Sequence, residues 1–133
     1  MDTGKTGSNN FREGKGCGDK GQQLEAFVYF DKEVSVSTVT IRSVVDINSF
    51  LMPPQEIEIW GGNNKASLHL LKSLRPEQPS KVAPIYLTGY DVSFHRAEIK
   101  IIKVILKPVS KLPVWHKGKG DKGWIFTDEI FLN

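Results

Sequence analysis

From Gln55 to Trp60 the chain alternates, with Ile57 and Ile59 on one side and Glu56 and Glu58 on the other, until Gly61-Gly62-Asn63-Asn64 ends the run. A period of two is the mark of a half-buried β-strand, because successive side chains of an extended backbone leave on opposite faces. The same habit recurs along the sequence. Leu24 to Phe30 and Val34 to Val45 are dominated by β-branched and aromatic residues, and they read as two strands around a turn at Asp31-Lys32-Glu33. Ser67 to Leu74, Ile85 to Phe94, Glu98 to Pro108 and Trp124 to Leu132 read as further strands, most of them separated by connections containing proline or glycine. No window of useful length carries a helical period. Seven or eight short strands without alternating helices predict an all-β, antiparallel jelly-roll sandwich and exclude a doubly wound nucleotide-binding fold.

That exclusion disposes of two phosphate-loop look-alikes. Residues 16–21 and 118–123 both satisfy G-x-G-x-x-G. The motif works where a strand leads through the glycines into a helix N-terminus that faces the pyrophosphate. Here a polar segment precedes the first copy and a strand follows the second. Gly4-Lys5-Thr6 likewise lacks the upstream strand and glycine of a phosphate loop.

With 133 residues the chain suits one domain, large enough to bury roughly two-thirds of its unfolded surface without disulfide or metal staples. Residues 1–20 are expected to form a flexible glycine-rich segment and residues 21–133 the sandwich. Hydrophobic content of 39% and charged content of 25% are those of an ordinary soluble globular protein. No apolar run approaches the ~20 residues of a membrane span, so membrane insertion is not expected. One cysteine, Cys17, permits no internal disulfide, and the opening MDTGKTGSNN has no apolar core of a signal peptide.

Catalytic constellations are thin, and no enzyme activity is expected. The three histidines, His69, His95 and His116, have no second ligand at a metal-binding spacing. Asp128 and Glu129 are neighbours in a strand and so point to opposite faces, which disqualifies them as a paired acid and base. Binding is the better-supported role. In Trp115 to Asn133 (WHKGKGDKGWIFTDEIFLN), Trp115, His116, Lys117, Lys119 and Asp121 combine flat apolar faces with hydrogen-bonding groups, the combination that holds sugars. Phe50, opening the apolar loop FLMPP, could share that rim. Trp124 or Phe126 is expected in the core, while Trp115 is open to either burial or exposure.

The net charge of +3 is mild but unevenly spread. Lys100, Lys103, Lys107, Lys111, Lys117, Lys119 and Lys122 lie against the single acid Asp121 between residues 100 and 122. Such a stripe could neutralise a polyanion. The simpler reading makes its first three lysines a solvated face or guards of an edge strand.

The closing stretch PVWHKGKGDKGWIFTDEI resembles the terminal motif of discoidin-like modules, the coagulation factor V/VIII C-type, galactose-binding-like family. The likeness continues upstream in order. Gln23-Leu24-Glu25 into Val28 to Lys32 is similar to the first core strand and its turn, Val36 to Asp46 to the second, and Leu51 to Pro54 followed by Ile57 to Gly61 to the third. The resemblance implies a galactose-binding-domain-like jelly roll of about eight strands whose loops at one end read carbohydrate. It also implies a structural calcium, Ca2+, near the first loop, for which Glu129, Asn10 and Asp19 are the candidate donors. One departure stands out: where the family places W-x-G-F, this chain has Gly16-Cys17-Gly18-Asp19.

The expectation is therefore a non-catalytic carbohydrate-binding accessory module with a glycan ligand, secreted or displayed at a cell surface as part of a larger parent protein. A structural or protein-interaction spacer with no sugar site is the alternative. Polyanion binding by the lysine stripe is a second alternative, with nucleic acid not the expected partner.

Overall fold

The computed structural model describes residues 16–17 and 23–133. Six strands occupy these residues: β1 (Gly16–Cys17), β2 (Leu24–Val45), β3 (Glu56–Gly62), β4 (His69–Leu74), β5 (Tyr86–Lys107) and β6 (Phe126–Leu132). They hydrogen-bond in the order β1-β6-β2-β5-β3-β4, and every pair is antiparallel.

β2 and β5 are each 22 residues long and pair with one another almost throughout. Their ladder is interrupted twice, between Tyr29 and Val34 and between Val36 and Thr38. Extra residues on one strand of a ladder bend it and increase its twist. The two interruptions therefore fold the ribbon over on itself. Residues 24–29 and 101–106 continue into β3 and β4 as one layer, and residues 38–45 and 86–93 join β6 and β1 as the other. One hydrophobic cluster lies between them. It takes Ala26, Val28, Ile57, Ile59, Ile102, Val104 and Leu106 from the first layer and Val39, Ile41, Val92, Ile130 and Leu132 from the second.

Among the described residues the fold is thus an antiparallel β-sandwich of six strands, two of them bent, which amounts to eight straight segments. The turn expected at Asp31-Lys32-Glu33 is the first of the two bends, where the backbone remains extended. Likewise the strands expected on either side of residues 95–97 are halves of β5. Gly16–Cys17, expected within a loose segment, pair through their backbone with Thr127 and Phe126.

Two further expectations shift. Lys103 does not guard an edge, because residues 101–106 of β5 are paired on both sides, with β2 and with β3, and Lys107, paired with Glu56 of β3, lies just past the end of the β2 ladder. Just before β6 the core residue is Ile125, 1% exposed, while its neighbours Trp124 and Phe126 are only half-buried. A register shift between Arg42 and Ser43, opposite Glu129 and Thr127, resets the phase of the alternation there.

The closing loop as a candidate binding site

Both bent strands begin and end at the same end of the sandwich, so the connections 46–55 and 108–125 meet there. A second, smaller core holds them. Val45, Ile47, Met52 and Leu112 are buried, and Phe50, Ala83, Val109 and Trp115 pack against them half-buried. After β2 the chain makes a short 3-10 turn, Ile47–Ser49, closed by Phe50 in the left-handed conformation at φ 67°. Such a conformation is costly for a bulky residue and persists only where its surroundings hold it.

Backbone hydrogen bonds supply part of that hold. Trp124 N–H donates to the Phe50 carbonyl at 2.8 Å, and Met52 N–H donates to the Trp124 carbonyl at 3.1 Å. Within the closing loop, Leu112 N–H donates to the Asp121 carbonyl at 2.7 Å and Gly120 N–H to the Leu112 carbonyl at 3.1 Å. Gly120 sits at φ +83°, which a side chain would resist.

His116 supplies the rest. Its ring is 3% exposed. Nδ1 accepts the Gly118 N–H at 2.8 Å, so the ring proton is on Nε2, which donates to the Ile47 carbonyl at 2.6 Å. Both ring nitrogens are thereby committed to the protein. The Phe50 ring meets the imidazole edge-on, with centroids 5.0 Å apart. Gly118 is required beneath that ring: a Cβ there would stand 2.5 Å from Phe50 Cζ and 2.7 Å from Cε2.

Of the residues assigned to the rim, His116 is therefore a clip between two loops rather than a ligand contact, since burial and two internal hydrogen bonds leave it nothing to offer. Phe50 chiefly fills the space between loops. Met52, Pro53 and Pro54 of the apolar loop are buried. Trp115 remains half-buried, its ring tilted at 47° to His116 with centroids 5.9 Å apart. Lys117, Lys119 and Asp121 are exposed. Trp115, the two lysines and the acid share one loop, which His116 anchors. Val114, 86% exposed beside Trp115, is an apolar rim residue that sequence reasoning passed over, because nothing in Pro113-Val114 distinguishes a surface valine from a core one.

The lysine stripe is divided. Lys107 Nζ donates to Glu58 Oε2 at 2.9 Å and lies 3.5 Å from Glu56, while Lys103 is 3.8 Å from Glu25 and 5.5 Å from the Phe27 ring centroid. Those two charges are answered by carboxylates on the sheet. Lys100, Lys111, Lys117, Lys119 and Lys122 are exposed.

For calcium, Asn10 and Asp19 lie outside the described residues. Glu129, the remaining candidate, is half-exposed in β6 and ion-pairs with Arg42 at 3.1 Å. Among the described residues no group of three His, Cys, Asp or Glu side chains is placed to hold a metal.

No helix among the described residues is long and apolar enough to cross a membrane. No family model matches the chain, and no curated protein matches it. Solved structures do. A GH29 fucosidase from Ruminococcus gnavus, in complex with fucose, superposes over 87% of this chain with a TM-score of 0.56 at 13% identity; the chain spans only 19% of that enzyme. Chitosan-binding module 1 of a chitosanase/glucanase from Paenibacillus sp. IK-5 superposes over 88% of this chain and 74% of its own, with a TM-score of 0.50 at 11% identity. CBM32-3 from a family 31 glycoside hydrolase of Clostridium perfringens does so over 87% and 70%, with a TM-score of 0.50 at 8% identity. What these likenesses establish is the fold: the chain has the discoidin-like, galactose-binding-like β-sandwich seen in CBM32 carbohydrate-binding modules.

Proposed function

We propose that this chain is a non-catalytic carbohydrate-binding module of a larger secreted or surface protein, and that a glycan meets it at the closing loop. The observation that carries the reading is the presentation of Trp115. A half-buried indole and the exposed Lys117 and Lys119 belong to one loop, which His116 clips to Ile47, so the segment that carries them is anchored before a ligand arrives. Rigid placement lowers the ordering cost of binding, and an indole face matches the C–H face of a pyranose. The shared fold with a chitosan-binding module supports the same ligand class.

A glycan array run at low and high salt, with Trp115→Ala beside the parent chain, tests this. Binding to a defined glycan that responds weakly to salt and disappears in the variant is the expected result. Absence of any glycan signal would transfer support to a structural spacer, a reading favoured by the full internal commitment of His116 and the wedging of Phe50. Steeply salt-dependent binding to heparin would instead point to the exposed lysines as a polyanion surface.

A further inference from the structure

At the opposite end of the sandwich, where the β2–β5 ribbon folds over, a groove of about 370 Å³ opens to solvent between Lys72, Ser93, Phe94 and His95. Its position follows from the strand order. Residues 86–93 of β5 have no partner on their outer side among the described residues, whereas in the facing layer β3 and β4 continue beyond them. β4 is held there by Leu71 and Leu74, which pack half-buried against the main core.

Lys72 is exposed and lines the groove. It pairs with Ile59 beside a register shift at which Leu71 is the extra residue of β4, and the apolar residues on either side of it, Leu71 and Leu74, pack against the main core. Among the described residues Lys72 has no carboxylate partner. Facing it, Phe94 is half-buried against the main core, which fixes its ring, and Ser93 Oγ is 3.2 Å from Thr38 Oγ1. His95 is exposed at the bend.

We propose that this groove is a second ligand subsite that takes a negatively charged sugar residue, a uronate. The Lys72 ammonium and an N–H of His95 would donate to the carboxylate, Ser93 would hydrogen-bond a ring hydroxyl, and the Phe94 ring would meet a C–H face. The depression is broad and shallow, a shape that suits one residue of a longer chain lying across it. The choice of a sugar rests on the module reading above; the choice of a charged one rests on Lys72. The competing account makes Lys72 only an edge-strand charge that keeps β4 from pairing with another chain.

Amide NMR spectra of the full chain, titrated with D-glucuronate, D-glucose and sodium acetate at matched ionic strength, separate these outcomes. Glucuronate is expected to shift the amides of Lys72 and residues 93–95 more strongly than glucose or acetate does. Lys72→Gln should weaken that binding about tenfold, the loss typical of a charge-assisted hydrogen bond, and Trp115→Ala should leave it unchanged. Shifts confined to residues 114–121, equal shifts with acetate, or an affinity unchanged in Lys72→Gln would overturn the subsite while leaving the closing-loop reading intact. Self-association of Lys72→Gln with undiminished glucuronate binding would assign the lysine to edge protection alone. The module reading fails separately, if no array glycan shifts residues 114–121.

Discussion

His116 Nε2 lies 2.6 Å from the carbonyl oxygen of Ile47, a contact that joins residues 69 positions apart and fixes the closing loop against the turn that follows β2. The same carbonyl accepts the Phe50 N–H at 3.1 Å, so both of its lone pairs are used. The imidazole's other nitrogen holds the loop's own backbone at Gly118. One buried side chain thus sets the position of Trp115 on one side and of Phe50 on the other.

Removing that ring leaves the Gly118 N–H without its acceptor and the Ile47 carbonyl with the Phe50 N–H alone. His116→Ala is expected to destabilise the fold by about 1–3 kcal/mol, the order of cost of one unsatisfied group. Urea denaturation reads the loss. Long-range nitrogen–proton NMR correlations of the parent chain should show the proton on Nε2; a proton found on Nδ1 would refute the hydrogen-bond assignment.

Gly118→Ala places a methyl group inside the Phe50 ring's contact distance. The expected penalty is about 1–3 kcal/mol, the usual cost of overpacking. Because the clash is with one ring, Phe50→Leu should cost less in the Gly118→Ala background than alone. A double-mutant cycle by chemical denaturation measures that coupling, and strict additivity would show that the loop yields elsewhere.

On the outer face of the first layer, the Lys107 ammonium bound to Glu58 holds that carboxyl below the usual carboxylate range, with the Trp60 N–H at 3.0 Å adding to the effect against the opposing cost of burial. The folded state therefore binds this proton less readily than the unfolded chain. The resulting stability is present above the unfolded carboxylate pKa of about 4.3 and is lost as pH falls through the lower folded value. Glu58→Gln should be less stable than the parent at pH 7 and show a shallower decline from pH 5 downward. Parallel declines in urea midpoint would remove Glu58 from the acid response.

How much of this was legible in the sequence depends on the range of the contact that decides it. Strand positions were readable because Ile57, Ile59, Val39 and Ile41 alternate locally, and alternation needs no knowledge of the partner. The bends were not: Asp31-Lys32-Glu33 has the composition of a turn, yet its backbone stays extended because Ile99 and Ile101 hold the ladder on either side of it. At the closing loop, the sequence motif located the right segment but blurred its roles. His116 and Trp115 are adjacent and alike in composition, and only the carbonyl of Ile47, remote in sequence, makes one a clip and leaves the other at the rim. Lys103 and Lys107 looked free for the same reason, their carboxylates being supplied by β2 and β3.

Tyr90 gives an alkaline counterpart to Glu58. In register with Ile41 and packed half-buried against the main core, it has its phenol pushed up to about 12, first by burial, then by Tyr86, with a hydrogen bond to Thr88 acting in the other direction. An unfolded tyrosine ionises near about pH 10. Between those values the folded chain keeps a proton that the unfolded chain has released, so stability declines as pH rises from about 10 to about 12. Tyr90→Phe should abolish that part of the decline while leaving neutral-pH stability within about 1 kcal/mol of the parent, because little changes but a hydroxyl. Thermal unfolding followed at pH 9, 10 and 11 measures it. An alkaline decline as steep in the variant as in the parent would place the alkaline sensitivity outside residue 90.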